Sequence, residues 1–290
     1  MKIAAIDIGS NAIRLLIKEF PFGDNTVSNK LLMVRLPVRM GEEVFISGEF
    51  SFERIELLTE GMNAYASILK VYKPDVFRVC ATSAFREASN REKVIKKIEK
   101  QTGLQIEVIS GEEEASLIYG NIFAEEDYAD KTILSIDIGG GSTEMAFFHK
   151  GEPVLSRSFD IGTLRIKHDI VEHKSWQIAE KWLLEVRDKF KVDFAVSSGG
   201  TVRKLCKMAE SGNAMLHLNE IREIFWYLKG FSLKEKMEIL KLGQDRADVI
   251  SPAGEILLRM MELSGVEKVT SPKLGLADGI IRQLYLDGQD

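Results

Sequence analysis

One motif occurs twice in this chain, and it limits the possible folds more than anything else. Ile6-Asp7-Ile8-Gly9-Ser10-Asn11 returns as Ile136-Asp137-Ile138-Gly139-Gly140-Gly141, 130 residues further on (Asp7 to Asp137). Each copy ends an apolar run in an aspartate and then breaks into small residues, the outline of a strand running into a tight turn. After the first copy the apolar pattern resumes from Ala12 to Phe20, which predicts a hairpin. A weaker echo follows each copy. Cys80-Ala81-Thr82-Ser83 leads into a helix carrying Arg86, and Val196-Ser197-Ser198-Gly199-Gly200-Thr201 into one carrying Arg203. The spacing of this echo is shorter (117, Arg86 to Arg203), a mismatch that an insertion or deletion absorbs. The repeat predicts a duplicated α/β unit whose halves meet in the polar, acidic stretch Glu125 to Lys131. At 290 residues the chain is also long enough that a single core stops growing, so two domains are expected, residues 1–125 and 126–290.

Between the repeats, Ile55, Leu58, Met62, Tyr65, Leu69 and Tyr72 recur at helical steps after Ser51 and stop before Pro74. A strand from Val76 to Ala81 follows, then a helix capped by Asn90 and ended by Gly103, then a strand from Gln105 to Ile109. Ser110 and Glu113 have the spacing of a capping box opening a third helix.

With 45% hydrophobic and 29% charged residues the chain can bury a core. Its net charge of −5 argues against broad binding to nucleic acid or an anionic membrane, so an anionic ligand needs a local site. Cys80 and Cys206 form neither a C-x-x-C pair nor a zinc quartet, which points to free thiols in a reducing compartment. Asp7 interrupts the only apolar stretch at the amino terminus, and no run approaches the ~20 residues of a membrane span. A cytoplasmic location is expected.

Gly9-Ser10-Asn11 and Gly139-Gly140-Gly141-Ser142-Thr143 permit positive φ and let backbone N–H groups converge on an anion, with phosphate the natural guest. A plain hairpin turn is the alternative for either loop alone. Asp7 and Asp137 precede these turns on buried strands, and Glu144 stands on the return strand of the second hairpin. Hard oxygen ligands beside phosphate loops suit Mg²⁺ or another divalent cation. The plainer roles are an Asx turn for Asp7 and an exposed strand position for Glu144. Glu112, Glu113 and Glu114 complement a helix dipole, and any one of them could orient an attacking water. Arg86 is placed to clamp a phosphate or to form a surface ion pair. His149, His168, His173 and His217 show no metal-binding spacing.

The runs Ala5 to Asn11 with Arg14 to Ile17, Ala81 to Ala88, Ile109 to Ala115 and Asp137 to Glu144 resemble the exopolyphosphatase/guanosine pentaphosphate phosphatase (Ppx/GppA) family. The likeness continues through Asp160 to Arg165, Ser197 to Thr201, Arg246 to Ile250 and Gly275 to Ile281. It implies a duplicated ribonuclease H-like fold of the actin, heat-shock ATPase and sugar-kinase type, with an interdomain cleft and a final helix, from about Asp278, returning to the first domain. It implies Glu114 as the catalytic acid, with Arg86 as the phosphate-contacting arginine of the catalytic set. Phosphate binding then falls to Gly9, Ser10, Asn11, Arg14, Gly139, Gly140, Gly141, Ser142, Thr143, Gly199 and Gly200, and metal binding to Asp137 and Glu144, with Asp7 as a third candidate.

Two departures stand out. Longer members add a helical domain for which these residues leave no room, so a processive grip on long polyphosphate is not expected. Gly275-Leu276-Ala277-Asp278-Gly279 also lacks the basic residue of the family pattern. The resemblance implies a Mg²⁺-dependent hydrolase removing the terminal phosphate of polyphosphate or guanosine pentaphosphate, with a homodimer as a partner to expect and no nucleic acid polymer or membrane. The rivals are a small-molecule kinase of the same superfamily and a module that senses alarmone or polyphosphate without turnover.

Overall fold

The hairpin expected at the amino terminus pairs β1 (Lys2–Ile8) with β2 (Ile13–Glu19), and Asp7 faces Arg14 across it. This is a computed structural model, and it describes residues 1–21, 28–122, 128, 130–209 and 215–288. The chain continues through β3 (Asn29–Leu36), α1 (Gly41–Ser47), α2 (Phe52–Tyr72), β4 (Val76–Ala81), α3 (Ser83–Glu87), α4 (Arg91–Thr102), β5 (Glu107–Val108) and α5 (Gly111–Ile122). Then come β6 (Thr132–Ile138), β7 (Thr143–His149), β8 (Glu152–Phe159), α6 (Thr163–Lys167), α7 (His173–Lys189), β9 (Phe194–Ser198) and α8 (Gly200–Cys206). The last elements are β10 (Met215–His217), α9 (Leu218–Lys229), α10 (Leu233–Glu238), α11 (Gln244–Ala247), α12 (Ile250–Ser264), β11 (Lys268–Thr270) and α13 (Leu276–Asp287).

These elements form two compact units. Unit 1 is Met1–Asn121 with Leu276–Asp290, and unit 2 is Ile122–Gly275. Most of the stretch Glu125 to Lys131, where the repeat puts its boundary, lies outside the described residues. The unit 1 sheet has the order β3-β2-β1-β4-β5, and the unit 2 sheet the order β10-β11-β9-β6-β7-β8. Leaving aside β10, the two orders coincide strand for strand. In each, an antiparallel meander leads into parallel strands at the centre.

Alternation along the strands decides what each face buries. In unit 1, Ala4, Ile6 and Ile8 pack with Leu58, Met62, Tyr65 and Leu69 of α2 and with Val94 and Ile98 of α4. Gly61 lets α2 lie close, since a Cβ there would stand 2.9 Å from Ile13 Cδ1. On the opposite face α13 packs against β1, β2 and β4. Gly279 is required there, because a Cβ would run into the Leu117 carbonyl of α5. Asp278, where the family pattern is altered, is buried and pairs with Lys18 at 2.7 Å, so the change is accommodated by a helix-to-sheet contact. In unit 2, Leu134, Ile136 and Ile138 pack with Trp182, Leu183 and Val186 of α7 and with Ile256, Leu257 and Met260 of α12.

Several local readings need correction. Ser51 does cap α2, accepting from Arg54 N at 3.2 Å, and Gly103 ends α4 with φ 73°. Asn90, however, makes no cap bond. Its amide oxygen accepts from Phe50 N at 3.1 Å and its amide nitrogen donates to Phe50 O at 2.9 Å, so it fastens a loop instead. The Ser110 box is half formed. Glu113 N donates to Ser110 Oγ at 3.1 Å, while the Glu113 carboxylate turns to Arg78 at 2.7 Å. The strand expected over Gln105 to Ile109 shrinks to β5. Among the described residues no helix is long and apolar enough to cross a membrane.

Candidate active site

Both repeated turns close the same way. Gly9 N donates to Ala12 O at 3.2 Å, and Gly139 N donates to Ser142 O at 2.9 Å. The glycines do not work through positive φ, as the sequence suggested, because Gly9, Gly139, Gly140 and Gly141 are not among the left-handed residues. They work through closeness: a Cβ on Gly139 would sit 3.0 Å from Ser142 O, and one on Gly9 would sit 3.2 Å from Ala12 O.

In each unit a following segment consumes the turn's carbonyls. Thr163 N, Leu164 N and Arg165 Nε donate in succession to the carbonyls of Gly139, Gly140 and Gly141, at 3.0, 2.8 and 2.7 Å. Gly162 makes this bracket possible, since a Cβ there would collide with the Gly140 carbonyl. In unit 1, Arg39 N and Gly41 N take the carbonyls of Asn11 and Ser10, at 3.0 and 2.8 Å. With its acceptors engaged, the unit 2 turn is left rich in donors, and no described residue accepts from the N–H groups of Gly140 and Gly141. Consecutive backbone donors of this kind suit an anion.

Beneath each turn a row of side chains crosses the sheet on the face away from the main core. In unit 2 the register sets Ser198 beside Asp137, Asp137 beside Glu144 and Glu144 beside Ser158. Glu144 is fully buried, which excludes the exposed strand position. Ser158 Oγ donates to Glu144 Oε1 at 2.8 Å, and Ser198 Oγ donates to Asp137 Oδ1. In unit 1 the matching row is Cys80, Asp7, Arg14 and Arg35. There Arg14 Nη1 meets Asp7 Oδ2 at 2.7 Å, so the buried aspartate has a guanidinium as counter-charge. Burial pushes the Cys80 thiol up to about 12.

The carboxyl ends of β1, β4 and β5 lie side by side, which brings the Gly9 turn, α3 and the start of α5 together. The three glutamates of α5 are thereby told apart. Glu112 is exposed and Glu113 belongs to Arg78, whereas Glu114 is only 8% exposed. Arg86 Nη1 donates to Glu114 Oε2 at 2.8 Å and to Ile109 O at 3.2 Å, which holds the carboxylate in place. Arg86 also lines an open groove in which it and Arg91, Lys93 and Lys96 outnumber Glu87 and Glu92, a net positive wall on a chain of net negative charge.

Gly199 is the one glycine of the candidate set with positive φ, at 101°, and a Cβ on it would lie 3.6 Å from Asp137 Oδ1. At Gly200 a Cβ would lie 3.9 Å from Arg246 Nη2, so a second arginine approaches the unit 2 site. Arg246, Ser158, Ser198 and the bracket Gly162 to Arg165 are absent from the candidate site residues read from sequence. The available signals were the resembling runs Asp160 to Arg165, Ser197 to Thr201 and Arg246 to Ile250; Ser158 had none. Among the described residues no three or more His, Cys, Asp or Glu side chains gather as a metal cluster.

The chain matches the Ppx/GppA phosphatase family over residues 28–287. A protein described as exopolyphosphatase 2 of Mycobacterium tuberculosis is 28% identical over 316 aligned residues, taking in 98% of each chain. Among solved structures, an exopolyphosphatase from Cytophaga hutchinsonii has a TM-score of 0.87, at 22% identity over 99% of this chain and 98% of that one. The Aquifex aeolicus member of the Ppx/GppA family has a TM-score of 0.79, at 23% identity over 100% of this chain and 99% of that one. These likenesses, with the repeated strand order, give the chain the duplicated ribonuclease H-like fold of the actin type.

Proposed function

The chain belongs to the Ppx/GppA phosphatase family, and from that premise we propose that it hydrolyses the terminal phosphoanhydride of inorganic polyphosphate or guanosine pentaphosphate. The observation that carries this reading is the ion pair that half-buried Arg86 makes with buried Glu114. Glu114 takes the proton of a water whose oxygen attacks the terminal phosphorus; the P–O bond to the next phosphate breaks, and orthophosphate leaves. Arg86, whose guanidinium has five N–H donors, keeps the carboxylate aimed while offering hydrogen bonds to phosphate oxygens.

Phosphate oxygens are assigned to the backbone donors of Gly139 to Thr143, with Gly9 to Asn11, Gly199 and Gly200 as further contacts. Arg14 serves Asp7 first, and the metal role is therefore proposed for Asp137 and Glu144 alone. The donor set fits a hard cation, since two carboxylates stand opposite each other on β6 and β7 with no nitrogen or sulfur ligand in their row. Mg²⁺ commonly takes one or two carboxylates, and when bound it supplies charge neutralisation at phosphate oxygens. The cationic groove at Arg86 supports a substrate with several phosphates. The relatives described as exopolyphosphatases support polyphosphate in particular.

The test is phosphate release from polyphosphate, guanosine pentaphosphate and ATP, in Mg²⁺ and after chelation. Glu114→Gln is expected to lower turnover by about 10²–10⁴-fold. A folded variant that turns over like the parent removes Glu114 from the role.

A further inference from the structure

We infer that Ser158 and Ser198 are positioning residues, which set the two carboxylates of unit 2 for a divalent cation from opposite ends of one four-strand row. The inference rests on the cation reading above and extends it to side chains that touch neither substrate nor metal.

Three observations lead to it. Ser158 stands directly across from Glu144 on β8, and Ser198 directly beside Asp137 on β9, so each serine is the lateral neighbour of one acid. Each hydroxyl donates to one oxygen of its acid, Oε1 of Glu144 at 2.8 Å and Oδ1 of Asp137. Glu144 and Ser198 are at most 1% exposed, while Asp137 and Ser158 are half-buried, so each bond has one member shut off from water and replaces hydration that the carboxylate would otherwise need.

A carboxylate turns freely about its last bond unless something holds one oxygen, because that torsion is broad and roughly two-fold. Fixing Oε1 of Glu144 and Oδ1 of Asp137 fixes where the partner oxygens point. Two such constraints at the ends of a row hold the inner pair at a constant spread, which matters for Mg²⁺ because it demands near-ideal octahedral geometry.

The experiment is a titration of the full-length protein with Mn²⁺ alone, followed by electron paramagnetic resonance, in the parent and in Ser158→Val and Ser158→Thr. Valine and threonine have the same shape and suit a strand equally, and only threonine keeps a hydroxyl. Ser158→Val is expected to weaken Mn²⁺ binding on the order of 10-fold, and Ser158→Thr to remain within about 2-fold of the parent. Ser198→Ala is expected to weaken binding in the same direction. Parent-like binding by Ser158→Val overturns the proposal, and so does equal weakening by both Ser158 variants. If the valine variant does not fold, Ser158→Ala takes its place in the same comparison. Glu144→Gln separates the two levels: if it binds Mn²⁺ as the parent does, or if the parent binds none, the cation reading itself fails.

Discussion

Unit 1 and unit 2 put four side chains at equivalent places in equivalent sheets, yet the two rows carry opposite electrostatics. In unit 1 the aspartate under the turn faces Arg14, with Arg35 beyond, so the acid is paired and the row carries an excess of positive charge. In unit 2 the aspartate faces a glutamate, and both acids are held by serine hydroxyls. Two carboxylates side by side, Glu144 fully buried and Asp137 partly so, repel each other unless a cation joins them. The difference teaches that the duplicated scaffold specifies positions only. A single residue, the one across from the aspartate, decides whether that acid is met by a counter-charge or by a second acid.

The comparison breaks most visibly if that residue is exchanged. Glu144→Arg writes the unit 1 pattern into unit 2, and is expected to abolish Mn²⁺ binding and to lower phosphate release on the order of 10³-fold. Unchanged Mn²⁺ affinity in this variant contradicts that contrast between the rows. Arg14→Gln probes the other row, leaving Asp7 buried without its guanidinium. Urea unfolding should then show a loss of about 1–3 kcal/mol, toward the lower end because Arg14 is partly exposed, while the Mn²⁺ affinity stays the same. A shift in that affinity means the rows are coupled.

The smallest effect belongs to the outer position, where unit 1 has Cys80 and unit 2 has Ser198. Because the Cys80 thiol is raised to about 12 from an ordinary value near 9, the native state keeps a proton that the unfolded chain gives up. Stability therefore does not depend on this group at neutral pH and declines as pH rises from 9 toward 12. Comparison of the parent with Cys80→Ser by urea unfolding should show an excess loss below about 1 kcal/mol between pH 7 and pH 9. Cys206, raised by burial to about 11, is present in both proteins and cancels.

What could be read from the sequence was whatever depends on local spacing. The hairpin Lys2–Ile8 with Ile13–Glu19, the stripe of α2 and the cap at Ser51 follow from neighbours within a few residues. The aspartates under the turns stood out because the motif repeats. Ser158 could not be found this way. It lies in a mostly exposed edge strand, and its partner Glu144 is chosen by strand register alone. The segment holding β3 and α1 gave no signal, since β3 is an edge strand without clean alternation and α1 has only seven residues. Yet Arg39 and Gly41, which bracket the first turn, come from that segment. Asn90 looked like a cap because the sequence does not show that Phe50 offers it a better-matched donor and acceptor. For the glutamate run, spacing left three candidates open; the family resemblance picks Glu114, and packing sets it apart from its neighbours.

The placement of α13 bears on how the protein is made. Ile3, Ala5 and Leu16 are fully buried on the sheet face where this last helix packs, and Phe20 stacks on Tyr285 at 4.0 Å. All of Ile122–Gly275 is translated before Leu276 is reached, which takes roughly 8–30 s at about 5–20 residues per second. For that interval the nascent amino-terminal sheet displays an oily back to the cell. The ribosome thus releases unit 2 with its parts complete while unit 1 still waits for its cover, an opening for chaperones that a simple tandem of domains would not present.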